Sequence, residues 1–260
     1  MITGTTASGT YYLFNKKDQE NPIVFIHGVG LTHEIWQPQF EFFNYHSTIA
    51  YDILGHGKSS LREGEISFDD FSNQLIELLD HLNIKKIHLV GFSIGSLIAR
   101  NFATKFNDRL QSLILLGSIY KRSDEQQKIV DQRYEQAKKE LKLSRQALKR
   151  WFTDKYLKNN PNMYEKISSI LSANNMENFL KVYELFVFHK NDEALEKIKV
   201  NTLVMTGEHD VGSTVEMSKE LDNILQNSQL MIIKDGKHLC GIECADEVNL
   251  VIKKFVEQND

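Results

Sequence analysis

Short apolar runs recur along the chain, separated by segments in which apolar residues follow a helical spacing. In the runs Ile23–Ile26 and Leu113–Leu116, apolar and polar residues do not alternate. Continuous apolar runs of this length are typical of strands that are covered on both faces, as in a parallel sheet. The strand-like runs are Tyr11–Phe14, Ile23–His27, Ser47–Tyr51, Lys86–Val90, Ser112–Leu116, Thr202–Thr206 and Gln229–Ile233.

The segments between these runs predict helices, because their apolar residues would share one helical face. Strands and helices that alternate in this way predict the α/β class, with a doubly wound, mostly parallel sheet. The predicted helices are Phe68–Leu82, Ser96–Phe106, Thr214–Leu225 and Asp246–Val256.

One long region interrupts the alternation. Residues 120–199 contain no strand pattern, and most of the region is rich in Lys, Glu and Gln with apolar residues at amphipathic helical spacing. We expect a helical insertion in a core domain made of residues 1–119 and 200–260. Solvated helices account for most of its charges. Because the insertion follows the carboxyl end of a strand, the functional alternative is a helical cap over a substrate pocket.

Composition narrows the functional class only a little. The chain has 260 residues and a formal net charge of -4, which argues against a nucleic-acid partner. Residues 1–22 lack the charged and then apolar pattern of a secretion signal. No run approaches the roughly 18 apolar residues of a membrane span. We therefore expect a cytoplasmic protein, with an oligomeric state that the sequence leaves open.

The stretch IHLVGFSIGSLIARNFA, residues 87–103, joins a predicted strand directly to a predicted helix. Ser93 would stand on the tight turn between them, with Gly91 and Gly95 leaving room for neighbouring backbone. The first turn of the helix offers unpaired N–H groups and a positive dipole end to developing negative charge. A G-x-S-x-G pattern in this context is typical of a nucleophile elbow, so we interpret Ser93 as a nucleophile.

A serine nucleophile needs a base, and the base needs an acid that orients it. Asp210 and His238 each come just after a predicted strand, so both would emerge at the same sheet edge as Ser93. The order serine, acid, histidine is also the one typical of an elbow. Glu208 is an alternative acid and His209 an alternative base, but Asp210 and His238 are the preferred pair.

The oxyanion of an acyl-transfer transition state needs N–H donors. We predict the backbone amide of Ile94, directly after the nucleophile, as one donor. The sequence HGVG, residues 27–30, follows a predicted strand, and the amide of Val29 is the second candidate. His27 itself is expected to form structural hydrogen bonds.

Two other motifs suggest different chemistry. The stretch YDILGHGKSS, residues 51–60, lacks the spacing of a phosphate-binding P-loop and is better interpreted as a structural turn near the site. Cys240 and Cys244 together with His238 supply only three possible metal ligands. We therefore expect neither a metal ion nor an organic cofactor.

Taken together, HGVG, YDILGHGKSS, GFSIG, GEHD and GKH occur in the order and spacing of the α/β-hydrolase superfamily, which the chain resembles along essentially its whole length. Within it, HGVGLTHEIWQPQ and the segment starting RWFTDKYL are similar to the entry loop and cap of the 3-oxoadipate enol-lactonase group and its carboxylesterase neighbours. This resemblance implies a triad of Ser93, Asp210 and His238, with Val29 and Ile94 as the oxyanion hole. One departure, DVGSTVEM in place of a Thr-Pro turn after the acid, weakens any assignment to a particular lactone.

The predicted function is that of a serine hydrolase that cleaves a small-molecule carboxylic ester or lactone through an acyl-enzyme on Ser93. A carbon–carbon bond hydrolase with the same triad and a hydrolase-like receptor or signalling module are the alternatives. A carboxylated lactone would need a cationic group in the pocket, for which Arg150 and Arg133 are candidates. The candidate substrate-binding residues are Trp36, Arg150, Trp151, Phe152, Tyr183 and Phe186.

Overall fold

Eight strands form one sheet in this computed structural model, which describes residues 1–18, 21–140, 146–191 and 193–260. The strands are β1 Ile2–Thr5, β2 Tyr11–Asn15, β3 Ile23–Ile26, β4 Thr48–Tyr51, β5 Ile87–Phe92, β6 Leu110–Leu116, β7 Thr202–Gly207 and β8 Ser228–Ile233. Their order in the sheet is β1-β2-β4-β3-β5-β6-β7-β8. Strand β2 pairs antiparallel with β1 and β4, and all the other pairs are parallel.

Alternate residues of the central strands enter two different apolar cores. In β3, Val24 and Ile26 join the core on one face of the sheet, whereas Ile23 and Phe25 join the core on the other. Both faces are therefore covered, which explains the absence of polar positions in this strand. The predicted doubly wound, mostly parallel sheet is confirmed.

Helices cover both faces of the sheet. Helix α2 begins at a capping box, in which Ser67 and Asp70 bond to each other's backbone, and it buries an apolar face that includes Phe71, Leu75 and Leu78. None of the described helices is both long and apolar enough to cross a lipid bilayer. The helices are α1 Gln37–Phe42, α2 Phe68–His81, α3 Ile94–Lys105, α4 Asp124–Glu140, α5 Gln146–Trp151, α6 Asp154–Asn159, α7 Pro161–Ser172, α8 Met176–Val187, α9 Val215–Ile224, α10 Cys240–Glu243 and α11 Ala245–Glu257.

Between β6 and β7 the chain leaves the sheet and forms helices α4 to α8. No strand occurs in the described part of residues 120–199, in agreement with the sequence pattern. Residues 141–145 and 192, which the predicted cap includes, lie outside the described residues. We call residues 120–199 the helical segment below.

A buried ionic cluster ties both ends of the helical segment to helix α3. Arg100 is fully buried and donates to the backbone carbonyl of Ile119, at one end of the segment, over 2.8 Å. Its guanidinium also pairs with Glu193, at the other end, over 2.8 Å, and Glu193 accepts a second bond from His189. Burial alone would raise the pKa of Glu193, but these two partners lower it to about 2. The carboxylate therefore stays charged where the segment joins the sheet.

Candidate active site

Ser93 occupies a strained turn between β5 and α3. Its backbone has φ 57° and ψ -120°, in a region that non-glycine residues rarely adopt. A Cβ at Gly91 would overlap the carbonyl of Gly95, and a Cβ at Gly95 would lie 2.5 Å from the carbonyl oxygen of Ile26. Both glycines of the motif are therefore required by the close approach of neighbouring backbone. The turn directs the Ser93 hydroxyl out of the sheet at the carboxyl end of β5.

Asp210 and His238 reach Ser93 from the loops that follow β7 and β8. The Nδ1 atom of His238 lies 2.6 Å from Oδ2 of Asp210, and its Nε2 atom lies 3.2 Å from the Ser93 hydroxyl. The other carboxylate oxygen of Asp210 accepts backbone N–H bonds from Gly212 and Ser213, at 2.8 and 3.0 Å. Four hydrogen bonds thus hold the buried Asp210 carboxylate, the partly buried His238 imidazole and the Ser93 hydroxyl in one series.

The two alternative residues lie outside this series. Glu208 is exposed and accepts a hydrogen bond from the backbone of Asp235. His209 is also exposed. Glu208, His209 and Asp235 bring their side-chain ligand atoms within 4.8 Å of one another, the one such grouping of possible metal ligands in the described residues. Exposed acidic groups commonly cluster in this way without binding an ion.

A second contact of serine, histidine and aspartate occurs at the opposite edge of the sheet. His88 lies 2.8 Å from the Ser112 hydroxyl and 2.8 Å from a carboxylate oxygen of Asp260. Ser112 is fully buried within β6, so no substrate carbonyl can reach its hydroxyl. The two series contain the same three residue types, but only the Ser93 hydroxyl lines a cavity that a substrate can enter.

Two backbone N–H groups next to Ser93 have no acceptor within the described part of the chain. One belongs to Ile94, the first residue of α3, where a helix leaves its N–H groups unpaired. The other belongs to Val29, in the loop after β3. This loop passes close to Ser93, because a Cβ on Gly28 would lie 3.3 Å from the Cβ of Ser93. The two predicted oxyanion donors are therefore free of acceptors, one in the residue after Ser93 and one in the neighbouring loop.

A cavity of about 400 Å³ opens above these groups, between the sheet edge and the helical segment. Ser93, Asp210, His238 and Val29 line its floor. Its walls come largely from the helical segment. The predicted pocket residues that line it are Arg150, Trp151, Tyr183 and Phe186, and those that the sequence did not single out include Arg122, Val130, Leu171, Phe179 and Val211.

Trp36 and Phe152 are corrections to the predicted pocket, because neither lines the cavity. Trp36 is 2% exposed and packs on Phe25, with ring centroids 5.0 Å apart. Phe152 is fully buried and stacks on Tyr156 at 5.1 Å. Both rings belong to the apolar core on the same face of the sheet.

In the described part of the helical segment, three arginines and one carboxylate, Glu140, line the cavity, so cationic groups outnumber anionic ones in its wall. The guanidinium of Arg122 already binds the backbone, since it donates to the carbonyl oxygens of Phe186 and Val187 at 3.0 Å. Arg133 and Arg150 also line the cavity, and neither pairs with a carboxylate of the described residues. Burial lowers the pKa of Arg150, and the nearby charge of Arg133 lowers it further. An anionic group between these two guanidiniums would relieve their mutual repulsion.

The helical segment also contacts the loop that carries His238. The backbone N–H of Leu239 donates to the carbonyl of Trp151 at 2.9 Å. Glu243 accepts hydrogen bonds from both the backbone N–H, at 3.0 Å, and the hydroxyl of Thr153. Trp151 in turn lies over the imidazole of His238, with ring centroids 6.4 Å apart. The cavity wall and the imidazole are therefore held by the same set of contacts.

Buried histidines support the loop after β3. His27 donates from Nδ1 to the Gly28 carbonyl at 2.8 Å and accepts from the Ile53 amide at 3.0 Å. His56 accepts from the Gly30 amide at 2.8 Å. Burial lowers the pKa of His27 to about 4 and that of His56 to about 3. Both imidazoles are therefore neutral near pH 7, which lets each accept a backbone hydrogen bond.

Comparison with known proteins bears on the fold and the family of the chain. The chain is 28% identical over 253 residues to (E)-2-((N-methylformamido)methylene)succinate hydrolase from Acinetobacter baylyi, covering 95% of this chain and 94% of that protein. It is 24% identical to 3-oxoadipate enol-lactonase 2 of the same organism, with 99% and 96% covered. The crystal structure of the enol-lactonase from Burkholderia xenovorans superimposes with a TM-score of 0.88 at 23% identity, covering 95% of this chain and 96% of that one. Residues 21–243 match the family model for the alpha/beta hydrolase fold, and the chain belongs to this family.

Proposed function

We propose that the protein is a serine hydrolase that cleaves a carboxylic ester or lactone through an acyl-enzyme on Ser93. One observation carries the proposal: Asp210, His238 and Ser93 form a hydrogen-bonded series on the floor of a cavity, beside two free backbone amides. The hydrolase names of the relatives support the same class of reaction.

The first half of the reaction forms the acyl-enzyme. The Ser93 oxygen attacks the substrate carbonyl while Nε2 of His238 takes the hydroxyl proton, and Asp210 stabilises the resulting imidazolium. The carbonyl oxygen becomes an oxyanion that accepts hydrogen bonds from the amides of Val29 and Ile94. The tetrahedral intermediate then expels the alkoxide, to which His238 returns the proton.

The second half releases the acid. A water molecule gives a proton to His238 and attacks the acyl carbonyl, and a second oxyanion occupies the same two amides. Collapse of this intermediate breaks the bond to the Ser93 oxygen, which regains its proton from His238. For a lactone the alkoxide remains part of the acyl group, so the product is a single hydroxy acid or its keto form.

The substrate that the cavity fits best carries a carboxylate in addition to the scissile carbonyl. Arg133 and Arg150 supply two cationic groups without a carboxylate partner in the described residues. A guanidinium binds a carboxylate through paired, charge-assisted hydrogen bonds. The two relatives are named for acidic substrates of their own. One is a hydrolase of a succinate derivative, and the other is a 3-oxoadipate enol-lactonase.

Turnover of a matched set of compounds tests the proposal. The set holds p-nitrophenyl acetate, a neutral five-membered lactone, a carboxylated lactone of equal size and a vinylogous diketone. The wild type should hydrolyse the ester and the lactones but not the diketone, and a fluorophosphonate should label Ser93. Ser93→Ala should lose both turnover and labelling while its circular dichroism spectrum stays unchanged.

Three results would contradict the proposal. Turnover that survives in Ser93→Ala, without labelling of the wild type, would exclude Ser93 as the nucleophile. Cleavage of the diketone alone would favour a carbon–carbon hydrolase, and tight binding of a lactone without turnover would favour a receptor.

A further inference from the structure

The backbone of Gly30 is held at both of its polar atoms, one in each of the two peptide groups that flank its Cα. Its N–H donates to Nε2 of His56 at 2.8 Å, and its carbonyl oxygen accepts from the side-chain amide of Asn174 at 2.8 Å. His56 comes from the loop after β4, in the core of the protein. Asn174 comes from the turn between α7 and α8, in the helical segment. Two side chains from distant parts of the sequence therefore hold the two successive peptide groups on either side of Gly30.

These two peptide groups directly follow the one that carries the donor needed by the proposed reaction, the Val29 N–H. Val29 carries the free N–H, and the orientation of that amide depends on the backbone on both of its sides. Gly30 has φ 74°, a left-handed conformation, so the loop turns sharply at this point. Without side-chain partners, a loop at a glycine can rotate between several conformations. Fixing the two peptide groups around Gly30 restricts the backbone dihedral angles of Val29, and with them the direction of its N–H.

We propose that His56 and Asn174 are positioning residues for the oxyanion hole, which hold the Val29 amide toward the Ser93 oxyanion by fixing the backbone on both sides of the Gly30 Cα. The inference rests on the proposed function. It adds a direct connection from the helical segment that forms the cavity wall to the groups that stabilise the transition state.

The state of His56 suits this role. An imidazole can accept the Gly30 hydrogen bond at Nε2 only if that nitrogen carries no proton. Burial and, to a lesser extent, the adjacent His27 lower the pKa of His56 to about 3, although a bond to the Leu54 carbonyl and the charge of Asp52 act in the opposite direction. The imidazole therefore remains an acceptor near pH 7.

The setting of Asn174 supports the same role. Its side-chain nitrogen also lies 3.1 Å from the carbonyl oxygens of Ile170 and Leu171, so three carbonyl groups fix the direction of the amide. Its Oδ1 atom is buried and has no hydrogen-bond partner among the described residues. A buried oxygen without a partner is costly for stability, and such costs are commonly found where a residue serves function.

Two inhibitors of the same shape distinguish a loss of oxyanion-hole geometry from general damage to the cavity. A trifluoromethyl ketone adds to Ser93 and forms an oxyanion, whereas the methyl ketone of the same shape binds only as a neutral molecule. Both are measured on the full-length wild type and variants, together with kcat/KM for p-nitrophenyl acetate. Asn175→Ala is the matched control, because this neighbouring side chain caps α8 and has no bond to Gly30.

Asn174→Ala and Asn174→Asp should lower kcat/KM and trifluoromethyl ketone affinity together, by roughly 10- to 100-fold, part of the loss seen when an oxyanion donor is removed. Affinity for the methyl ketone should stay within about twofold, since that compound does not use the hole. His56→Leu should behave in the same way, and His56→Gln should restore most of the activity, because its side-chain oxygen accepts the Gly30 hydrogen bond.

The outcomes distinguish this inference from the proposed function. If the wild type turns over and Asn174→Ala keeps its kcat/KM and its trifluoromethyl ketone affinity, the inference is wrong while the proposed function stands. Equal losses for both ketones would also overturn it, because they would indicate damage to the cavity. A wild type that neither turns over nor accepts a phosphonate on Ser93 would overturn both. The Asn174 variants decide the question if His56→Leu does not fold.

Discussion

Acidification from pH 7.5 to 5 should destabilise the protein through His27 and His56. Burial lowers their folded-state pKa values to about 4 and about 3, from 6.5 in the unfolded chain. Between these limits the unfolded chain binds protons that the folded protein does not, so the free energy of unfolding falls as the pH falls. Each pH unit below 6.5 costs about 1.4 kcal/mol per histidine. The two residues together should therefore remove about 4 kcal/mol between pH 7.5 and 5.

Urea unfolding at several pH values measures this loss, and His56→Gln isolates one of the two contributions. A glutamine cannot titrate, so the variant should lose about 2 kcal/mol less than the wild type over the same range. Burial also lowers the pKa of His88, which adds to the loss in both proteins and cancels in their difference. His209→Gln, at an exposed histidine outside this network, is the matched control and should follow the wild type.

Two results would refute this reasoning. One is a wild-type free energy of unfolding that changes by less than about 1 kcal/mol between pH 7.5 and 5, where about 4 is expected. The other is a His56→Gln variant with the same pH dependence as the wild type and the control, which would mean that the imidazole of His56 takes up its proton in the folded state.

Three further outcomes test other parts of the site. Asp210→Asn should reduce kcat by up to about 10⁴, because an amide does not stabilise the imidazolium. Glu208→Gln should keep wild-type kinetics, and the reverse pattern would show that the acid is misassigned. Arg150→Gln should raise KM for a carboxylated lactone by about tenfold or more and spare a neutral lactone of equal size; equal effects would argue against carboxylate recognition. Gly95→Ala should unfold at lower urea than the wild type, because its Cβ would lie 2.5 Å from a backbone carbonyl oxygen, whereas at Gly212 the nearest atom is 3.5 Å away and alanine should be tolerated.

The sequence predicted most of the sheet because covered strands leave a strong signal. The predicted runs correspond to β2 to β8, each within a residue or two at its ends. Strand β1 was missed because it lies at the sheet edge and is mostly exposed, so no apolar run marks it. Helices α1 and α10 were missed because they are too short to show a helical period.

The arrangement of Ser93, Asp210 and His238 followed from chain order and from the rule that parallel strands end at one edge. The pocket wall did not, because an aromatic residue has the same sequence pattern whether it faces a core or a cavity. Trp36 and Phe152 turned inward, and Trp151 lines the cavity. Asn174 gave no signal at all, since its contact with the Gly30 loop spans 144 positions and exists only in the folded chain.

The reacting groups and the cavity walls come from separate stretches of the chain, and this division has a consequence for engineering. Every residue of the proposed triad and oxyanion hole lies before β6 or after the start of β7, while one continuous stretch supplies most of the wall. Specificity can therefore be exchanged as a single cassette, by grafting another helical segment between β6 and β7. A grafted segment must keep two contacts with the core domain in addition to its ends. These are a side-chain amide that donates to the Gly30 carbonyl and a donor to Glu243, next to the loop that carries His238. A chimera that lacks these two contacts should still bind its new substrate and yet hydrolyse it poorly.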